Sequence, residues 1–402
     1  MTRDVLLENA LVVHHDRVEA RPLAFSAGRV VGDVAASALR VDLRDHLIFP
    51  GLINAHDHLQ LNSVPPLHHA VFFANSYDWI DAFEPHRRNP DVMAAVGVPS
   101  ATRHWQGGMK NLLAGVTTVA HHDPWHAVLD DPDFPVGLLR HFGWSHSLGL
   151  GESRDGRPPR YGPPVHESFA ATPADHPWVI HLAEGTDEVA REELAQLDAL
   201  GCLAANTVLV HGVGLTSAGV EQVIACGAAV VWCPSTNLAM LGRTLDPRRL
   251  FDAGRLLLGS DSRLTGARDL LDELRIAAAQ SDLSPRELLW LVTLDASRML
   301  GLHECGSLSV GQQADCMIVR AAGDPYAALL GADRSRIRAV VREGVPRIAD
   351  PDFAGWFTHC GVDAVPMRLD GRAKLIARRL IQPPGVALEP GLELVCGDRT
   401  GQ

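Results

Sequence analysis

Short apolar runs recur through the middle of the chain, and most are followed by a segment with helical punctuation. The run Phe49-Pro50-Gly51-Leu52-Ile53-Asn54-Ala55 reads as a buried strand closing on His56-Asp57-His58. A helix is expected over Thr102 to Ala114, stopped by Gly115, with a strand at Val116 to Ala120. Val136 to Phe142 is the next strand candidate. The strand at Trp178-Val179-Ile180 ends on His181. Its helix is expected to use Thr186 as N-cap, Asp187 and Glu188 in the first turn against the dipole, and Gly201 after the end. Thr207 to Val210 leads to His211, and Thr216 caps a helix that Gly227 stops. Strands are then expected at Ala228 to Cys233 and Arg255 to Leu258. Ser284-Pro285-Arg286-Glu287 has the form of a capping box, opening a helix expected to reach Leu300.

Strand and helix alternating over about 250 residues predict a parallel sheet, and an α/β fold of the (β/α)8 barrel type. The residues 149–177 are rich in glycine and proline and carry no clear period, so the barrel is expected to be distorted around strand four. The stretch from His58 to about Asn89 reads as an irregular loop shaping a pocket.

Both ends of the chain have a different texture. Val5 to Val13, Arg29 to Val34 and Leu39 to Leu43 read as short strands, with Gly28 and Gly32 as turn residues. Ser307 to Val310, Ala314 to Arg320 and Ile337 to Val341 do the same beyond the barrel. A small β-sandwich built from both chain ends is expected, with residues 1–50 and 305–402 flanking a barrel of residues 51–304. In the tail, Ala373 to Leu380 has an amphipathic helical pattern, and Pro383-Pro384 is expected to interrupt regular structure after it.

The ionisable residues of the middle region fall on the strand ends. His56, His58, His181, Glu184, His211 and Asp261 all lie at or just past C-terminal ends of predicted strands, where barrel enzymes place their chemistry. Residues two apart on a strand share a face, so His56 and His58 can aim two imidazoles at one metal ion. In a chain with 20 histidines that pair alone is weak. Agreement of four separate strand ends is what makes it a site.

Composition narrows the partners. The 402 residues are 46% hydrophobic, enough for a large core, with a formal net charge of −12 and no basic run. Nucleic acid and anionic membranes are excluded as expected partners. No apolar run approaches a membrane span, and Asp4 and Glu8 interrupt any secretory signal, so a cytoplasmic protein is expected. Seven cysteines without a Cys-x-x-Cys pair fit reduced thiols and give no cysteine metal site.

Several stretches together resemble the amidohydrolase superfamily, in particular its aminohydrolases on nitrogen heterocycles, such as triazine hydrolases, guanine deaminase and adenosylhomocysteine deaminase. They are Pro50 to His58, Ala114-Gly115-Val116-Thr117-Thr118-Val119, His181-Leu182-Ala183-Glu184, His211-Gly212, Cys233 to Asn237, Leu258 to Ser262 and Gly306 to Asp315. The resemblance implies one divalent metal, zinc or iron, held by His56, His58, His181 and Asp261. It implies a catalytic role for Glu184 as proton shuttle, for His211 as an electrophilic or orienting group, and for Asp261 as base. The implied reaction is hydrolytic deamination of an amino-substituted heterocycle, a small molecule, by an enzyme able to form homodimers. Ring-opening hydrolysis of a cyclic amide, as in imidazolonepropionase, is the alternative, and a non-catalytic metal-binding barrel a third reading. The segment from Val119 to His181 is short for this branch.

Gln60, His122, Trp125, Glu152, Asn237 and Arg263 lie near strand ends or in loops and are candidate substrate contacts, with ordinary loop surface the favoured reading for each taken singly. A bridging lysine for a second metal is not expected. The chain has only Lys110, placed in the outer helical ring, and Lys374, placed beyond the barrel.

Overall fold

The computed structural model describes residues 4–151 and 160–395. Eight parallel strands form its centre: β1 (Leu52–Asp57), β2 (Val116–His121), β3 (Gly137–Leu138), β4 (Gly143–Ser147), β5 (Trp178–Leu182), β6 (Thr207–His211), β7 (Ala229–Trp232) and β8 (Leu256–Leu258). Their order is that of an α/β barrel, but hydrogen bonding divides them into two sheets, β3-β2-β1 and β4-β5-β6-β7-β8. Among the described residues no ladder joins β3 to β4 or β8 to β1.

The seam between β8 and β1 is stitched just beyond the strands. Asp261 N–H donates to His56 O at 3.0 Å, and Ser260 N–H to Asn54 Oδ1 at 3.0 Å. Gly259 allows this approach, since a Cβ there would lie 2.6 Å from His56 Cβ. The third strand is only two residues long, where Val136 to Phe142 was expected; Leu139 N–H still reaches Val119 O.

The chain ends meet in one nine-stranded mixed sheet. Leu11–Val13, Val18–Ala20 and His46–Pro50 pair into it from the N-terminal side, and strands from Cys316–Arg320 to Leu392–Leu394 from the C-terminal side. A separate four-stranded sheet contains Val5–Glu8, Leu23–Ser26, Arg29–Val31 and Leu39–Asp42. Both sheets pack into the same buried cluster as the outer faces of β1 and β2. No described helix is long and apolar enough to cross a membrane.

Several local expectations are overturned. Ser307 to Val310 forms no strand. The stretch after His58 is not a bare loop: Asn75 caps a helix at Ser76–His86 by accepting from Asp78 N–H, and a second helix lies at Pro90–Gly97. Helix Glu188–Ala199 starts on Asp187 rather than Thr186, because the Asp187 carboxylate accepts from Ala190 N–H while Thr186 N–H is taken by Ala74 O. Ala373 to Leu380 is not a helix. Arg372–Ala377 is a strand in which buried Lys374 bonds Ile337 O and Asp350, both at 2.5 Å, so a lysine sits where the pattern showed only a polar face. Pro383-Pro384 opens the short helix Pro383–Leu388 rather than ending structure.

The largest revision concerns Lys110. It lies on helix Ser100–Leu113, but it is fully buried and points toward the strand ends, not into an outer solvated ring. The sequence places it on a helix; only the packing shows that the helix turns this face inward, over β1 and β8.

Candidate metal centre

Four donor atoms converge at the C-terminal mouth of the strands. His181 Nε2 lies 3.3 Å from His56 Nε2 and 3.3 Å from His58 Nε2. Asp261 Oδ1 lies 3.8 Å from each of those two imidazole nitrogens. A tetrahedral zinc site with ligands near 2.0–2.1 Å has ligand–ligand edges of roughly 3.3 Å. The four groups therefore fit a divalent ion, and three imidazoles with one carboxylate suit zinc or iron. All four residues are buried. Two further donors crowd the same centre: His122 comes within 4.8 Å of His56 and His181, and His211 within 4.8 Å of His56 and Asp261.

Each donor is oriented by a partner behind it. His58 Nδ1 bonds Asp123 at 2.7 Å, and His181 Nδ1 donates to His146 O at 2.8 Å, leaving both Nε2 atoms facing the centre. Asp261 Oδ2 accepts from Thr236 and Thr265, while its Oδ1 takes Ser262 N–H at 2.6 Å. His56 Nδ1 and His122 Nδ1 are buried with no partner among the described residues. Burial pushes the pKa of His56, His122 and His181 well down, which favours the neutral, ligating imidazole. Burial would also lower His58, but the Asp123 carboxylate outweighs it and raises the group to about 9. A metal ion at this centre would compete with a proton for His58 Nε2.

Beside the centre stands a second pair. His211 Nε2 lies 3.4 Å from Glu184 Oε1. His211 Nδ1 bonds Asn237 Oδ1 at 2.9 Å, which fixes Nε2 toward the site. Burial raises the Glu184 carboxyl, partly offset by His211. Three non-glycine residues around this constellation have left-handed backbone: Ala183 at φ 54°, His211 at φ 78° and Asp261 at φ 51°. Such strain persists only where its surroundings over-determine it, and it clusters at working sites.

Residues 160–347 match the model of the Amidohydrolase family. Over that stretch the chain is similar to this family. A relative over most of its length is 8-oxoguanine deaminase of Pseudomonas aeruginosa, 25% identical across 79% of this chain and 86% of that protein. The 5-methylthioadenosine/S-adenosylhomocysteine deaminase of Pyrococcus furiosus is 28% identical over 162 residues, 36% of this chain and 38% of that protein. Among solved structures, a zinc-bound adenosine deaminase from Xanthomonas campestris superposes with a TM-score of 0.67 at 22% identity, over 89% of this chain and 97% of that one. Zinc-complexed atrazine chlorohydrolase from Arthrobacter aurescens gives 0.69 at 19% identity, over 85% and 95%. At these identities the superpositions speak for the fold alone.

The cavity above the donors measures about 470 Å³. His58, His181, Glu184, His211 and Asp261 form its floor, while Trp79, Phe83 and Leu264 are among its apolar walls. Of the candidate substrate contacts, Gln60 lines the cavity but its amide donates to Asp123 at 2.5 Å. Asn237 and His122 act behind the lining, as partners of His211 and of Ser145 O. Trp125 is turned to solvent, with its N–H on Asp130 and Arg140 over its ring. Arg263 is drawn away from the cavity by the buried Glu389, at 2.9 Å. Glu152 lies outside the described residues. Asp123 and Tyr161 were missed in the sequence. Tyr161 donates to Asp123 at 2.5 Å and lines the cavity. Asp123 comes directly after the strand-end pair His121-His122, which was the available signal.

Proposed function

We propose that this protein is an amidohydrolase that hydrolytically removes an amino group from a nitrogen heterocycle. Glu184, His211 and Asp261 are read as the catalytic groups, and His56, His58, His181 and Asp261 as ligands of one zinc ion. The observation that carries the reading is the placement of a Glu184–His211 pair, 3.4 Å apart, beside four converging donors. Metal binding alone needs neither residue of that pair. The deaminase names of the relatives support the choice of reaction. Residues 51–304 are read as one distorted (β/α)8 barrel, with residues 1–50 and 305–402 as the β-sandwich beside it.

A bound divalent ion lowers the pKa of water from 15.7 to about 7 and so supplies a nucleophile at neutral pH. Asp261 is placed to accept the proton that water gives up. Glu184, held neutral more readily by its burial, gives its proton to a ring nitrogen, the proton held by Asp261 goes to the departing amine, and Glu184 recovers the hydroxyl proton as ammonia leaves. His211 presents Nε2 to the oxygen that enters the ring. The apolar walls keep bulk water from the heterocycle.

The test is ammonia release from a panel of aminopurines, aminopyrimidines and aminotriazines by zinc-loaded protein, with cyclic amides alongside. Metal-dependent ammonia release is the expected result. Ring opening without ammonia would move the reaction to cyclic amides, and no turnover of any member would sink the proposal.

A further inference from the structure

The short segment between His181 and Glu184 holds the clue. Ala183 adopts φ 54°, a left-handed conformation that brings an alanine Cβ too close to the following carbonyl, and it is fully buried. Its N–H does not enter the β5–β6 ladder. It donates to Glu193 Oε2 at 2.6 Å. The other Glu193 oxygen receives the Tyr77 hydroxyl, whose own oxygen takes Gly149 N–H at 2.9 Å.

Glu193 stands in the helix Glu188–Ala199 among Ala190, Leu194 and Leu197, the buried face of that helix. An aliphatic side chain would fill the place without the cost of burying a carboxyl. From the other side, Ser76 N–H donates to Glu184 O at 2.9 Å, and Asn75 bridges Gly185. A Cβ at Gly185 would meet Asn75 Cβ at 2.7 Å, so the turn is closed on both flanks.

We propose that Glu193 and Tyr77 are positioning residues that clamp the Ala183 turn and thereby hold the Glu184 carboxyl against His211. The clamp joins helix Ser76–His86, which carries the cavity walls Trp79 and Phe83, to the residue that handles the proton. Neither Glu193 nor Tyr77 touches the four donors. The inference rests on the proton-carrying role of Glu184 proposed above.

The test compares Glu193→Ala, Glu193→Gln and Tyr77→Phe in zinc-loaded protein, with Glu184→Gln as reference. Glu193→Ala is expected to keep stoichiometric zinc and a near-normal KM but to lose about 10²-fold in kcat, the cost of a reacting group misplaced by about 1 Å. Amide hydrogen exchange at Ala183 should quicken in the same protein. Glu193→Gln can still accept from Ala183 and donate to the Tyr77 oxygen, so it should restore both exchange protection and most of kcat. Tyr77→Phe should fall between them. Unchanged kcat in Glu193→Ala beside an inactive Glu184→Gln would overturn the clamp alone. A fully active Glu184→Gln would instead remove Glu184 from the reaction, and the clamp would fall with it.

Discussion

Lys110 Nζ lies 3.0 Å from Asp57 Oδ2, and neither side chain is exposed at all. Asp57 is the residue between His56 and His58, and on a strand it points to the face opposite theirs. Lys110 also donates to Ser260 Oγ and to Asp261 O, each at 3.1 Å. Asn54, Asn62 and Asn111 complete the shell around the Asp57 carboxylate. One cation beneath the site thus ties the His-x-His strand to the strand that delivers Asp261, across the seam that carries no ladder.

Lys110→Met should therefore be strongly destabilising. Removing one partner of a buried ion pair typically costs about 3–5 kcal/mol, because the other charge stays buried and unpaired. Thermal unfolding should show a large fall in Tm, and zinc affinity should drop with it as the seam loosens. A variant with wild-type Tm and zinc affinity would show that the asparagine shell suffices.

Asp123 offers a gentler perturbation of the same centre. It bonds His58 Nδ1 and also takes Gln60 and Tyr161, so it fixes which nitrogen of His58 faces the donors. Loss of such an outer partner typically costs 10–100-fold in metal affinity. Asp123→Asn should weaken zinc by about that factor in a competition titration with a chelating dye. Its Tm after full zinc loading should lie near that of the parent. Unaltered affinity would mean that His58 is held by packing alone.

How much of this was legible before the fold was known depends on what each residue's role requires. His56, His58, His181, Glu184, His211 and Asp261 are local signals: each closes an apolar run, and strand geometry alone brings it to the mouth. Lys110 was misplaced because helix Ser100–Leu113 is buried almost all round, so its lysine reads as the solvated face of an amphipathic pattern. Arg263 and Trp125 look like pocket residues by position, but their partners Glu389 and Arg140 are brought in from elsewhere in the chain. The tail strand at Arg372–Ala377 escaped for the same reason. Its buried lysine depends on Asp350 and Ile337 O, contacts invisible to a periodicity argument.

A pH effect on stability is expected from Glu273. Its carboxyl is buried against Ser235, and burial raises its pKa to about 8 despite the Ser235 hydrogen bonds. A carboxyl raised in the folded state binds a proton that the unfolded chain releases above its ordinary value near 4.5. This group's contribution is thus fully present below about pH 4.5 and is lost as pH rises toward 8. Glu273→Gln should flatten the decline of Tm between these limits. A slope identical to the parent would place the titration elsewhere.

The seat of the metal can be assigned by competition between two histidines. His58 and His122 each lie beside the pair His56 and His181, and either could complete a set of imidazole donors. They differ in what holds them. His58 commits Nδ1 to Asp123 and leaves Nε2 at 3.3 Å from His181 Nε2, the edge expected of a common ion. His122 commits Nε2 to Ser145 O and has only its unpartnered Nδ1 left for an ion, and its ring stacks on His181 at 4.4 Å, a face-on placement that suits a wall rather than a ligand. His58→Ala should lose zinc by elemental analysis and forfeit the rise in Tm that zinc gives the parent, a rise that grows as the logarithm of free zinc over Kd. His122→Ala should bind one equivalent and keep that rise. Apo-protein should regain its full activity at one equivalent, since the same His56 serves every grouping of donors around the centre. Zinc retained by His58→Ala and lost by His122→Ala would hand the ligand seat to His122, and activity that climbs only with a second equivalent would require both groupings to be filled.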